Sequence, residues 1–258
     1  TGFANGDTES VVSGKDSITY SYKDGATVVT VNNTLAVGEY SIVPGVSGLS
    51  ADNYTFAPAN GKLTVGQATM EVTSDGYNDL YDGASHGLTA SVDGLPGMEI
   101  TYSTSPDGPF TDASPEYTNA GTYNVYFKAV DPDGNYAPDT GSAQIVIRKL
   151  EVTVTADDQG MTYGDSTASP AGVSYTGFIA GEDESVVTGT VGYNYFDGTT
   201  EVFIGSTLGA GYYDITPDLS GLSATNYTFT PANGTLTVDQ ATMEVTSPGY
   251  EDYYDGMA

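Results

Sequence analysis

Side chains that could bind a cation are densest in one short loop. The loop reads Asp131-Pro132-Asp133-Gly134-Asn135, and Asp139 follows it. Oxygen ligands at alternate positions, with a glycine that permits a sharp turn, are what a Ca²⁺ loop requires. The predicted ligands are Asp131, Asp133, Asn135 and Asp139. Because Ser142 stands where an EF-hand has its bidentate glutamate, an ordinary Asp/Gly turn is the favoured interpretation. The sequence predicts no cofactor, with structural Ca²⁺ as the alternative.

Tyrosines are a second candidate site, because exposed aromatic faces stack on pyranose rings. The candidate glycan-binding residues are Tyr193, Tyr195, Tyr212 and Tyr213. Alternate spacing and β propensity favour cross-strand packing instead. Adjacent Tyr212 and Tyr213 must point to opposite faces of a strand, so one of them can be exposed. Glycan binding is therefore the alternative interpretation.

Other reactive groups are sparse. Glycosylation sequons occur at Asn32, Asn53, Asn226 and Asn233. Asn53 and Asn226 belong to a repeated motif, so a role in strands and turns explains them as well. The chain has one histidine, His86, and no cysteine, so it offers no thiol and no pair of imidazole ligands. The sequence therefore predicts a protein that is not an enzyme.

An internal repeat is the strongest pattern in the chain. Residues 48–74 recur 173 positions later as residues 221–247. The differences between them are Asp52/Thr225, Ala57/Thr230, Lys62/Thr235 and Gly66/Asp239. Repetition at a fixed period indicates an array of structural units rather than one globule.

Two repeat types alternate along the chain. We name the segments the first A copy (1–66), the B repeat (67–149), the second A copy (150–239) and the tail (240–258). The first A copy is partial, since it has no counterpart of residues 150–175. The tail repeats the start of the B repeat, because residues 241–258 match residues 68–85. This arithmetic predicts a segment of a longer tandem array, cut at arbitrary points.

Composition narrows the class of protein. Val, Ile, Tyr, Phe and Thr alternate with 33 Gly and 12 Pro, which is typical of an all-β chain with frequent turns. The net charge of −28 repels phosphate backbones and anionic lipid, so we expect no nucleic-acid partner and no membrane contact by this segment. A soluble secreted surface is the simplest explanation of the charge.

The elements that must position these residues are short strands. In the first A copy the predicted strands are residues 20–22, 28–31, 38–43, 53–56 and 62–65. In the B repeat they are residues 70–74, 88–92, 99–105, 116–118, 122–130 and 143–148, which suggests an immunoglobulin-like sandwich. Tyr123 is expected to make a tyrosine-corner hydrogen bond there.

For the A copies we expect a β-grasp-like sheet crossed by one short helical turn, with a second sandwich as the alternative. That turn is predicted at residues 6–12, where Asp7 is a candidate N-cap and acidic residues follow. Asp24-Gly25 and Asp197-Gly198 are typical of type I′ hairpin turns.

Several motifs resemble known families. Thr162-Tyr163-Gly164-Asp165, Tyr175-Thr176-Gly177-Phe178 and Asn226-Tyr227-Thr228-Phe229 look like MBG-type repeats of bacterial surface adhesins. Tyr81-Asp82-Gly83 with His86 is similar to immunoglobulin-like repeats of large cell-wall proteins. The resemblance implies secretion, a cell-surface location, and a stalk or adhesive role. It implies no catalytic residues.

We therefore predict a structural segment of a secreted tandem-repeat surface protein or extracellular fibre. Its expected partners are further copies of the same repeat, by self-association or in tandem. The alternative is an adhesin module that binds host or environmental glycans through exposed tyrosines or Ca²⁺-ordered loops. A contiguous exposed aromatic patch would favour the adhesin, and tyrosines buried between strands would disfavour it.

Overall fold

The computed structural model describes residues 2–256 and consists of short β-strands joined by turns. The helical elements of this part of the chain are three 3₁₀ turns, Glu9–Val11, Lys15–Ser17 and Glu184–Val186. The prediction of an all-β chain is confirmed. The chain forms two compact units: Thr1–Gly76, Gly87–Pro115 and Asn124–Gln144 make the first, and Tyr77–His86, Glu116–Tyr123 and Ile145–Ala258 the second. The boundaries given above for the four segments stay a prediction.

The first A copy forms one antiparallel sheet. Its strands are β1 (Thr19–Asp24), β2 (Thr27–Val29), β3 (Gly38–Gly45) and β4 (Gly61–Val65), in the order β2-β1-β3-β4. Asp24 pairs with Thr27, so the hairpin loop is Gly25-Ala26, with φ of +54° at Gly25. A glycine in the first loop position is the pattern of a type II′ turn. The hairpin prediction is confirmed, but Asp24 is a strand residue rather than a turn residue.

The B repeat contains six strands. They are β5 (Val72–Thr73), β6 (Tyr77–Leu80), β7 (Ser91–Val92), β8 (Glu99–Ser103), β9 (Gly121–Val130) and β10 (Asp139–Arg148). One sheet has the order β6-β10-β9-β8, and β5 pairs with β7. Val125, Phe127 and Ala129 are buried at alternate positions of β9, as expected for a strand with one face in the core.

The second A copy contains eight strands in two sheets. They are β11 (Leu150–Ala156), β12 (Gln159–Thr162), β13 (Val173–Thr176), β14 (Gly192–Asp197), β15 (Thr200–Val202), β16 (Gly211–Asp218), β17 (Tyr227–Ala232) and β18 (Gly234–Asp239). The sheet orders are β13-β11-β17 and β12-β18-β16-β14-β15. Strands β11 and β17 both contact β16 of the other sheet. Two packed sheets match the sandwich alternative.

The core of the second A copy lies between these sheets. Val152 and Val154 of β11 are fully buried, and alternation along the strand directs both to the inner face. Met161, Ile215 and Leu236 are buried in the same copy, on strands of the five-stranded sheet. Burial alone holds this core, because the chain has no cysteine.

Local predictions fail at three places. Residues 53–56 form no strand, and residues 116–118 contribute only an isolated pairing of Tyr117 with His86. Strand β6 is not predicted, because its sequence has no apolar alternation. The helical turn is confirmed as Glu9–Val11, but its N-cap is Thr8 rather than Asp7.

Candidate functional site

Three tyrosine corners share one local design. In each, a tyrosine hydroxyl donates to the carbonyl oxygen of the residue four positions earlier. The bonds are Tyr40 to Ala36 (2.7 Å), Tyr123 to Asn119 (3.0 Å) and Tyr213 to Gly209 (2.9 Å). The prediction for Tyr123 is confirmed. Each corner fixes the backbone of the loop before a long strand, including the N–H of the residue three positions before the tyrosine.

The corner of the first A copy binds the B repeat. The Val37 N–H donates to Asn135 Oδ1 at 2.9 Å. The Ala68 N–H donates to the Asn135 carbonyl oxygen, also at 2.9 Å. Gln67 Nε2 donates to the Gly134 carbonyl oxygen at 3.0 Å. We call this set of contacts junction 1; it ties both the corner and the linker to a single loop.

Asp131 prepares that loop for binding. Its carboxylate accepts three backbone hydrogen bonds, from the N–H groups of Asp133 (3.0 Å), Asn135 (2.7 Å) and Tyr136 (3.0 Å). The side chain is buried, so these bonds replace the water that a free carboxylate would hold. The loop therefore presents Asn135 in a fixed position.

The other predicted calcium ligand, Asp139, accepts a hydrogen bond from the Val72 N–H at 2.9 Å. Among residues 2–256, no group of three His, Cys, Asp or Glu side chains is placed to hold a metal ion. Calcium binding by Asp131, Asp133, Asn135 and Asp139 stays a prediction.

The corner of the B repeat binds the second A copy in the same way. The Ala120 N–H donates to Asn226 Oδ1 at 2.8 Å. Asn226 Nδ2 donates to Asn119 Oδ1 at 3.2 Å, and the Leu150 N–H donates to the Asn226 carbonyl oxygen at 2.9 Å. We call this set, together with the tyrosine pair described next, junction 2.

Glu182 joins two tyrosines at junction 2. Its Oε1 accepts from the Tyr81 hydroxyl at 2.7 Å, and its Oε2 accepts from the Tyr227 hydroxyl at 2.6 Å. The two rings meet edge to face, with centroids 5.6 Å apart. Both tyrosines are buried, so the carboxylate holds their hydroxyls out of water. One oxygen serves each repeat, which makes Glu182 a bridge between them.

Titration of the two tyrosines reflects this bridge. The hydrogen bond to Glu182, assisted by burial, raises the pKa of Tyr81 above its ordinary value. Burial, assisted by the same carboxylate, raises the pKa of Tyr227 to about 12. The neutral tyrosines are therefore the forms that the junction stabilises.

Tyr81 belongs to a Tyr-Asp-Gly turn whose other two residues also have defined roles. Asp82 Oδ1 accepts from the Ala84 N–H at 2.9 Å and lies 2.8 Å from His86 Nε2. Gly83 has φ of +80°, and a Cβ there would lie 2.6 Å from Ile179 Cδ1 of the second A copy. The turn needs glycine for its backbone conformation, and it brings that backbone against the neighbouring repeat.

Three of the four candidate glycan-binding tyrosines pack on the core of the second A copy, namely Tyr193, Tyr195 and Tyr213. The Tyr195 hydroxyl donates to Gln159 Oε1 at 3.0 Å. Tyr212 points to the other face and is 77% exposed. The four therefore do not share one surface, and glycan binding stays a prediction.

The four sequon asparagines have different surroundings. Asn32 Oδ1 accepts from the Thr34 N–H and hydroxyl, and Asn233 Oδ1 accepts from the Thr216 hydroxyl. Asn226 lies in junction 2. Asn53 is exposed. Glycosylation of these residues stays a prediction.

Sequence reasoning did not identify the corner–asparagine contacts. A signal was present: a small residue, Gly, any residue and Tyr recur at residues 37–40, 120–123 and 210–213. This pattern indicates the corners and hence the exposed N–H donors. It does not indicate their acceptors, since Asn135 lies 98 residues from Val37 and Asn226 lies 106 residues from Ala120.

A family model supports the assignment of the A copies. The model of the MBG domain (YGX type) matches residues 1–64 and 152–237, which are more than half of the chain. The chain belongs to this family. The matched ranges fall in the first and second A copies, so both A copies are MBG domains. No protein of curated function matches the chain.

Solved structures with some likeness are also modular. Fibronectin(III)-like modules of Clostridium thermocellum CbhA are 14% identical, with 70% of this chain and 100% of that chain covered and a TM-score of 0.24. The N-terminal four Ig domains of Dscam1 isoform 4.44 are 8% identical, with coverage of 87% and 67% and a TM-score of 0.28. Protocadherin Gamma B2 domains 3–6 are 9% identical, with coverage of 83% and 60% and a TM-score of 0.28. TM-scores this low carry no argument about the present chain.

Within residues 2–256, no helix has the length and apolarity needed to cross a membrane.

Proposed function

We propose that this chain is a structural segment of an extracellular tandem-repeat protein, in which MBG and B repeats alternate to build a stalk or filament. The family, the 173-residue sequence period and the junctions support this proposal. The function is reach and spacing. The partners of each repeat are its neighbours in the array or in another copy of the chain.

One observation carries the proposal. Both junctions use the same hydrogen bond, from the backbone N–H of a tyrosine corner to an asparagine side chain of the next repeat. A contact between neighbouring beads on a flexible string would have no reason to recur with one chemistry. A recurring contact is what a periodic array requires, because every junction then has the same geometry.

The far end of the second A copy carries the same donor. Its third corner places Ala210 beside Gln240, as the first corner places Val37 beside Gln67. Ala210, Gln240 and Tyr163 line a cavity of about 480 Å³. We expect the Asp-Pro-Asp-Gly-Asn loop of a following B repeat to bind there, which extends the array by one more junction.

Short linkers and bonded junctions limit bending between neighbours. In junction 2 the linker residue Lys149 donates from Nζ to the Ala224 carbonyl oxygen at 2.8 Å. Neighbouring repeats then stabilise each other, so the stability of the array contains nearest-neighbour terms. The net charge of −28 opposes contact with nucleic acid and with anionic surfaces.

We infer no enzymatic role, since the family and the junctions account for the chemistry that the chain displays. Extracellular location follows from the family resemblance and from a chain without cysteine that relies on burial for stability. The adhesin alternative rests on Tyr212 and on the loop at Asp131, and glycan-array binding tests it.

Electron microscopy of the native material tests the proposal. We expect filaments with a regular axial repeat, made of alternating beads, in which one period corresponds to one A copy and one B repeat. Isolated monomers of the native protein, without an axial repeat, would contradict the structural role. They would direct attention to glycan binding instead.

A further inference from the structure

The first A copy contains the same site that Tyr81 occupies on the second A copy. Tyr54 corresponds to Tyr227 and Asp7 corresponds to Glu182. The Tyr54 hydroxyl donates to Asp7 Oδ2 at 2.8 Å, as Tyr227 donates to Glu182. The ring of Phe3 packs edge to face on Tyr54 with centroids 5.6 Å apart, as Phe178 packs on Tyr227 at 5.0 Å.

Backbone contacts agree between the two sites. The Ala4 N–H donates to the Tyr54 hydroxyl oxygen at 3.0 Å, and the Ile179 N–H donates to that of Tyr227 at 3.4 Å. The local sequence therefore builds the same tyrosine–carboxylate pair twice. The first A copy builds it without the B-repeat tyrosine that completes it in the second.

Two polar groups of the first site bind nothing within the described chain. Asp7 uses Oδ2 for Tyr54, and its Oδ1 has no hydrogen bond within residues 2–256. In the second A copy the matching oxygen, Glu182 Oε1, accepts from Tyr81. Asn53 is exposed, whereas its counterpart Asn226 accepts from a B-repeat corner. Both differences point to the same occupant, a B repeat.

The tail of the chain carries the complementary group. Tyr254-Asp255-Gly256 repeats Tyr81-Asp82-Gly83, and Tyr254 is 97% exposed. Gly256 has φ of +70°, close to the +80° of Gly83. The tail therefore holds the Tyr-Asp-Gly turn with its tyrosine in solvent, while the turn of the B repeat buries its tyrosine against Glu182.

We propose that the Asp7–Tyr54 pair of one chain binds Tyr254 of a second copy of this chain, joining copies head to tail through the contact that Tyr81 makes within the chain. This inference rests on the proposed function, because it uses junction 2 as the template. It names the surface and the segment through which copies associate. The expected new hydrogen bond runs from the Tyr254 hydroxyl to Asp7 Oδ1.

Sterics and charge set the conditions for this contact. Ala4 replaces Ile179 at the place where Gly83 approaches, so the site has room for the turn of the partner. Both surfaces are acidic: Asp7 and Glu9 face a tail that contains Glu251, Asp252 and Asp255. Association should therefore strengthen with added salt, which screens like charges over about 3 Å at roughly 1 M.

Engineered cysteines test the contact in the intact chain, which has no native cysteine. Ala4→Cys and Gly256→Cys chains carry the pair that corresponds to Ile179 and Gly83, and both leave Asp7, Tyr54 and Tyr254 unchanged. The two variants are mixed at high salt and oxidised mildly, and the disulfide-linked heterodimer is measured. The control replaces Gly256→Cys with Gly249→Cys, a glycine of the same tail with no atom near its Cβ position.

We expect the Ala4/Gly256 pair to cross-link in clear excess over the Ala4/Gly249 pair. Adding Tyr254→Phe to the Gly256→Cys chain should lower the yield about tenfold, the effect of losing one hydrogen bond to a carboxylate. Equal yields for the two glycine positions would overturn the proposal, and so would a yield that Tyr254→Phe leaves unchanged.

The proposed function has a separate test in junction 2 itself. If Tyr81→Phe destabilises the second A copy while the tail shows no preferred cross-link, the tandem-array function stands and only the association of separate copies fails. If Tyr81→Phe has no effect, junction 2 is not a stabilising contact and both proposals fail together.

Discussion

Nearly identical segments adopt different structures in the two A copies. Tyr227–Ala232 forms strand β17, which pairs in parallel with β11. The matching residues 54–59 differ only by Ala57 in place of Thr230, and they form no strand. The difference lies in the partner, because the first A copy has no counterpart of β11 within the chain. Strand formation here depends on tertiary pairing more than on propensity.

The B-repeat sequence gives the same lesson. Residues 241–258 match residues 68–85, where β5 and β6 form, yet the described part of the tail contains no strand. Tyr81 is 5% exposed and Tyr254 is 97% exposed. The remaining strands of a B repeat and the Glu182 site bury Tyr81. Each comparison therefore isolates one missing neighbour.

Removing the buried face of β11 should make the second A copy resemble the first. Val152 is fully buried, so Val152→Asp places an unpaired charge in the core and should cost about 4 kcal/mol or more. In hydrogen–deuterium exchange, we expect the amides of Tyr227–Ala232 to exchange as fast as those of residues 54–59.

Glu151→Gln is the matched control, because Glu151 is exposed on the same strand. It should leave the exchange of Tyr227–Ala232 unchanged. Continued protection of that segment in Val152→Asp would show that β17 forms without its partner and would remove the basis of the comparison.

Deleting one hydroxyl should separate Tyr81 from Tyr254. Tyr81→Phe loses the bond to Glu182 and leaves a carboxylate oxygen of a half-buried side chain without a partner. We expect a loss of about 1.5–3 kcal/mol in the free energy of unfolding, measured by urea denaturation. Tyr254→Phe in dilute solution should change it by less than about 0.5 kcal/mol. Equal effects of the two substitutions would refute the assignment of Glu182 as a bridge.

The two turn glycines should differ for a related reason. Gly83→Ala forces an L-residue to φ of +80° in a turn that packs on Ile179, at a cost of about 1–2 kcal/mol. Gly256→Ala meets the same backbone preference in an exposed tail that can relax, so its thermal midpoint should match that of wild type. A destabilisation by Gly256→Ala as large as that by Gly83→Ala would mean that the tail is already packed.

Alkaline pH should weaken junction 2. A tyrosine in the unfolded chain loses its proton near pH 10, whereas Tyr227 keeps it until about pH 12. The folded state therefore binds more protons across this window, and its stability falls as pH rises. The Tyr227 contribution should be about 1 kcal/mol between about pH 10 and 11. Tyr227→Phe should show a shallower decline in urea titrations at these pH values; an unchanged decline would rule out this origin.

The repeats and the all-β class can be predicted from the sequence because both are local or periodic signals. The 173-residue period is visible by comparison of the chain with itself, and turn residues punctuate short apolar segments. The corner of Tyr123 is also local, since donor and acceptor lie four residues apart. Pairing of the two A-copy sheets required the structure, because strand propensity does not select partners.

The junctions could not be predicted, because they join groups far apart in the chain. Asn226 stands out in the sequence only as a sequon, and Asn135 only as one oxygen ligand of a loop. Their role depends on a backbone N–H that a distant tyrosine corner exposes. Glu182 similarly looks like a helix-turn residue, and its two tyrosine partners lie 45 and 101 residues away.

The central claim is that junction 2 fixes the B-repeat strand β6 relative to the second A copy. Spin labels at Asn78→Cys on β6 and Glu201→Cys on β15, both exposed, report that distance by double electron–electron resonance. We predict one narrow distance distribution in this chain, also with the control Asn233→Ala added. Asn226→Ala combined with Tyr81→Phe should broaden it. A distribution that is equally broad with and without these two substitutions would contradict the account.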